Sequence, residues 1–106
     1  MTHEEAVRML AECRGRIDEI DRAILDLLNR RTCVVEDIGR AKQASGLPIY
    51  EPKREEDVYK NVLSHNTGPL PPDALRRIFE RIMDEMRSLQ RMSRDAKEPD
   101  ERRGAS

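Results

Sequence analysis

Apolar residues recur at Leu10, Cys13, Ile17, Ile20, Ile24 and Leu27, and again at Val34, Ile38 and Ala41. Alternating steps of three and four place these positions along one face of a helix packed in a seam. Thr2 followed by Glu5 forms a capping-box pattern at the start. On the outer face, Glu12–Arg16, Asp18–Arg22, Asp26–Arg30 and Glu36–Arg40 each set an acid four residues before a base, which supports a solvated helix. Gly46 and then Pro48 end the pattern. The spacing therefore predicts one helix over about residues 3–45, ~60 Å long at ~1.5 Å per residue. A compact monomer of this size has a radius of gyration of only ~13 Å. The seam of so long a helix needs cover that one small chain cannot give, and a homodimer with interleaved long helices is expected.

A shorter helix is predicted over residues 52–65, with Pro52 in its first turn and Val58, Val62 and Leu63 turned inward. The segment from His65 to Pro72 (HNTGPLPP) reads as a loop. A third helix opens at Pro71, Pro72 and Asp73 and carries Leu75, Ile78, Phe79, Ile82, Met83, Met86 and Leu89 at helical spacing. The apolar pattern stops near Ser93. The fold class is thus all-α, three helices per chain with one very long, over a domain of residues 1–95. Residues 96–106 read as a charged, disordered tail.

Composition narrows the function classes. Charged residues make up 39% of the 106, but Lys+Arg (20) nearly equals Asp+Glu (21), so no single-signed field points to nucleic acid or a membrane surface. No apolar run approaches the ~20 residues that cross a bilayer, and no signal-peptide core follows Met1. A soluble, cytoplasmic protein is expected. Cys13 and Cys33 lack zinc-type spacing and read as small buried thiols.

The informative residues are polar ones in apolar places. Arg31 occupies the seam position between Leu27 and Val34. A seam arginine can set register or snorkel its guanidinium to the edge of the bundle. Lys42, however, lies three turns on, within ~20° of the same face and ~16 Å away. No acid of this helix falls on that face between the two cations, so another segment or a ligand must supply the anion. Gln90 extends the Phe79–Met83–Met86 face of the third helix, where an amide can equally be solvated. Arg54 and Glu55 can be an ordinary charged first turn, although an arginine there opposes the helix dipole. Assembled, these residues describe a polar, net-cationic pocket suited to a small anion. A phosphate is less well served, because no Gly-rich loop is present.

The stretch Arg14–Arg31 (RGRIDEIDRAILDLLNRR), then Ile38–Lys42 (IGRAK), Pro48–Glu55 (PIYEPKRE) and Ile78–Gln90 (IFERIMDEMRSLQ) resembles the all-helical chorismate mutases, which occur alone or fused to other enzymes. The resemblance spans about residues 8–92 in the family's order and spacing. It implies an intertwined homodimer of three-helix chains that rearranges chorismate to prephenate, on the shikimate-pathway route to phenylalanine and tyrosine, with no cofactor and no metal. Arg31 and a partner chain's Arg14 would pair with the substrate's carboxylates. The separation agrees: Arg14 lies ~25 Å from Arg31 along the same helix and ~100° around it. Lys42 and Gln90 would donate to the ether oxygen, and Arg54 and Glu55 would lie near the ring hydroxyl. Two positions depart from the common pattern: Glu51 stands where many relatives have Asp, and Met86 where a pocket Ser is frequent. The resemblance leaves room for an isochorismate pyruvate lyase of the same fold, or for a non-catalytic helical module regulating another shikimate-pathway enzyme.

Overall fold

The computed structural model describes the backbone of residues 1–105 and the side chains of residues 1–96. It contains three helices, α1 (His3–Ala44), α2 (Pro52–His65) and α3 (Pro72–Ala105). The ends of α1 are fixed by the expected chemistry. Thr2 N–H donates to a Glu5 carboxylate oxygen at 3.2 Å while Glu5 N–H donates to the Thr2 hydroxyl at 3.1 Å, a closed capping box. At the far end Gly46 adopts φ +67°, and Leu47 N–H reaches the Lys42 carbonyl at 2.8 Å. With Gly46 N–H on the Gln43 carbonyl at 3.3 Å, this is a Schellman stop, which requires the left-handed conformation glycine tolerates.

The chain divides into two compact units, Met1–Val34 and Val35–Ser106. In the first, no helical residue is buried. Ile24 and Leu27 keep 48% and 57% of their surface in water, and Leu10, Ile17 and Ile20 fall between them. Cys13 is half-buried and Cys33 exposed, so the expectation of two buried thiols is not met within a single chain, whose seam face is uncovered. Arg40 pairs with Asp37, its (i, i+3) neighbour, rather than with Glu36.

The second unit holds the core. Tyr59 of α2 is buried with Leu75, Met83 and Met86 of α3, while Val58, Val62 and Leu63 are half-buried on α2. The two helices run antiparallel: Tyr59 meets Arg76 near the start of α3, and Glu55 meets Arg87 further along it. The loop between them is braced by Asn66, whose amide nitrogen donates to the Leu70 carbonyl at 2.9 Å and whose amide oxygen accepts from Gly68 N–H at 3.2 Å.

Helix α3 continues beyond Ser93, where the apolar pattern stops. Periodicity reports a buried face, not helicity, and Arg94 still has work in the fold: both its terminal nitrogens donate to the Leu47 carbonyl at 3.3 Å. The disordered tail expected over 96–106 lies, from residue 97 on, outside the residues described with side chains. Among the described residues no helix is long and apolar enough to cross a membrane.

Candidate active site

Lys42 sits in the last turn of α1, where a cation suits the helix dipole. The chain then reverses through Gly46 and brings residues 49–51 back beneath it. The ammonium donates to the Ile49 carbonyl at 2.8 Å and pairs with a Glu51 carboxylate oxygen at 2.8 Å. Its side chain is only 12% exposed, against 49% for Glu51. The chain itself therefore supplies an anion for this cation, from Glu51. Two of the three ammonium hydrogens are accounted for, and the geometry of the third follows from them.

Gln90 arrives from α3 on the same stretch of α1. Its amide nitrogen donates to the Val35 carbonyl at 3.3 Å, and its Cγ lies 3.5 Å from where a β-carbon on Gly39 would stand. Gly39 precedes Lys42 by three residues, ~4.5 Å along the helix. Met86, one turn before Gln90, is buried and gives this face an apolar wall.

Glu55, in the first turn of α2, has a partner that sequence reasoning missed. Arg87 of α3 grips both its carboxylate oxygens, Nε to Oε2 at 2.8 Å and Nη2 to Oε1 at 3.2 Å. Asp84 holds the same Nη2 at 2.6 Å, and the Arg87 guanidinium lies over the Tyr50 ring, 5.0 Å from its centroid. The hydrogen bond to Glu55 raises the Arg87 pKa against the effect of burial, helped by the charges of Glu55 and Asp84. The available signal was Arg87's place four residues after Met83 and three after Asp84, on the flank of the inward face. Arg54 is exposed on the same turn as Glu55.

The second unit thus brings together Lys42 with Glu51, and Glu55 with Arg87, and sets Gln90 and Met86 along α3. Arg14 and Arg31 belong to the first unit, Arg14 exposed and Arg31 half-buried.

Against known proteins, residues 13–91 match the family model for chorismate mutase type II. The chain belongs to that family. It is similar to a bifunctional chorismate mutase/prephenate dehydratase of Aquifex aeolicus, 37% identical over 86 residues that make up 77% of this chain and 24% of the relative. A chorismate mutase of Methanocaldococcus jannaschii is 39% identical over 56 residues, 53% of this chain and 57% of that protein. Among solved structures, a chorismate mutase from Thermus thermophilus (form II) superposes with a TM-score of 0.76 at 35% identity, covering 78% of this chain and 94% of that one. The chain spans only about a quarter of the length of the bifunctional relatives. All five candidate site residues named on the long first and third helices (Arg14, Arg31, Lys42, Met86 and Gln90) and the three between Glu51 and Glu55 fall inside the matched chorismate mutase type II region.

Proposed function

We propose that the protein is a chorismate mutase, an isomerase that turns chorismate into prephenate. The observation that carries this reading is the held ammonium of Lys42, fixed at 2.8 Å on both Ile49 and Glu51, with the Gln90 amide on the same stretch of α1. In the rearrangement one C–O bond breaks as one C–C bond forms, within a single molecule and without an outside proton or electron. Negative charge builds on the ether oxygen as that bond lengthens. Donors already aimed at it stabilise the transition state more than the ground state, and need no reorganisation when the charge appears. Confining the substrate to its folded reactive form supplies the rest.

In this reading Lys42 and Gln90 face the ether oxygen, Arg31 takes one carboxylate, and Arg14 of a partner subunit takes the other. Arg54 and Glu55 lie near the ring hydroxyl, Glu51 lines the site beside Lys42, and Met86 walls the pocket. The half-exposed apolar face of α1 supports the homodimer: a stripe of large aliphatic residues on one helix is a surface that a second copy covers. The cytoplasm is the compartment we assign, and a dehydratase-type enzyme of the same pathway is the partner that the bifunctional relatives suggest.

The test is incubation of the purified chain with chorismate and, separately, isochorismate, beside sedimentation analysis. Prephenate formation by a species of twice the chain mass is expected. Pyruvate release without prephenate would make it a lyase, and binding without turnover would make it a regulatory module. A single-chain mass would remove Arg14 from the site.

A further inference from the structure

The Arg87 cluster does more than pack α3 on α2. Glu55 stands in the first turn of a helix, where the dipole favours its charge but nothing in the turn fixes its orientation. Arg87 supplies that orientation. A guanidinium fork on both oxygens fixes the carboxylate plane, which a lysine's single point charge does not do. The fork is itself held, by Asp84 at one edge and by the Tyr50 ring at its face. Both side chains of the pair are about one-fifth exposed, 21% and 22%, so water competes only partly for these bonds. Each carboxylate oxygen has two lone pairs, and the fork occupies one on each. The other two remain able to accept a hydroxyl hydrogen.

We propose that Arg87 is a positioning residue, acting through Glu55 to present the carboxylate to the hydroxyl on the substrate ring. The inference rests on the functional reading above and extends it to recognition of that hydroxyl. The experiment compares kcat/KM for chorismate with kcat/KM for its analogue lacking the ring hydroxyl. It uses the full chain as wild type, Glu55→Gln, Arg87→Lys and the double variant, each checked for helix content and mass. Arg87→Lys is expected to lower the preference for the hydroxylated substrate by about tenfold, the scale of one charge-assisted hydrogen bond. Glu55→Gln lowers it similarly, and the double variant falls no further than the single ones, as for two residues acting as a unit. If Arg87→Lys unfolds, Arg87→Gln carries the same comparison. Equal losses on both substrates from the Arg87 variant would reduce it to a packing residue and overturn the proposal. So would a preference that Glu55→Gln abolishes and the Arg87 variant leaves intact. A wild type that turns over neither substrate would instead overturn the functional reading, and this inference with it.

Discussion

Replacing Lys42 with alanine tests the mechanism most directly, because its effects on catalysis and on stability separate by size. The ammonium has three hydrogens, of which the Ile49 carbonyl and Glu51 take two at 2.8 Å. The last is the one that the proposed mechanism assigns to the ether oxygen. Losing a fixed donor to a developing oxyanion costs about 2.7–4 kcal/mol in transition-state stabilisation, a fall of roughly 10²–10³ in kcat. The structural loss is smaller. Glu51 is half exposed and regains water, so the ion pair contributes no more than about 1 kcal/mol. The bond to Ile49 adds about 1 kcal/mol more, partly offset by alanine's high helix propensity. The assay is the initial rate of chorismate disappearance at saturating substrate, with helix content measured on the same samples. A hundredfold or greater loss in a folded Lys42→Ala chain is expected, and Glu51→Gln, which keeps a neutral acceptor beside the ammonium, should lose far less. Wild-type turnover in Lys42→Ala would refute the role assigned to the ammonium, and a loss that merely tracked lost helix would refute the separation.

Gly39→Ala should stabilise the chain by about 1 kcal/mol, because alanine outranks glycine in a helix interior and its β-carbon would meet Gln90 at an ordinary 3.5 Å. Thermal melting checks this, and a lowered Tm would show that the site has less room than it offers here. Gly46→Ala should cost about 1 kcal/mol, since φ +67° suits glycine alone, and an unchanged Tm would argue against the turn as described. Burial, and then the charge of Glu80, raise the Tyr59 pKa above 10.0, while Arg76 over the ring opposes them. A raised folded pKa means the unfolded chain gives up the proton first, so this contribution is whole below pH 10 and is lost as the pH climbs through the folded value. Denaturant melts above pH 10 should fall less steeply for Tyr59→Phe than for wild type; parallel curves would place the dependence elsewhere.

Helix ends were legible in the sequence where a short motif decides them. Thr2–Glu5, Gly46 with Pro48, and Pro52 each act within a few residues, and α1 and α2 begin and end where those signals put them, to within a residue. The end of α3 was not, because its apolar face stops a dozen residues before its backbone helix does. Tyr59 is the buried centre of α2, whereas the apolar spacing points to its half-buried neighbours Val58, Val62 and Leu63 for that face. An aromatic with a polar tip is buried here because Arg76 of another helix covers its ring, which no local pattern reveals. In the site, Lys42 and Gln90 stood out as polar residues on apolar faces. Their partners did not: Glu51 meets Lys42 only after the chain reverses at Gly46, and Arg87 lies thirty-two residues from Glu55.

The reversal at Gly46 also divides the labour of assembling the site in time. Lys42 is fastened at both ends to what immediately follows it, its carbonyl to Leu47 and its ammonium to Ile49 and Glu51. Ten consecutive residues therefore encode the placement of this cation, at almost no loop-closure cost, and such a segment needs no distant helix in order to form. Gln90 and Arg87 depend instead on α3 docking from far along the chain. A fluctuation that lifts α3 would take Gln90 off the Val35 carbonyl and release Glu55 while leaving the ammonium in its setting, so under the proposed mechanism hydrogen exchange in α3 should track the loss of activity more closely than exchange at the end of α1.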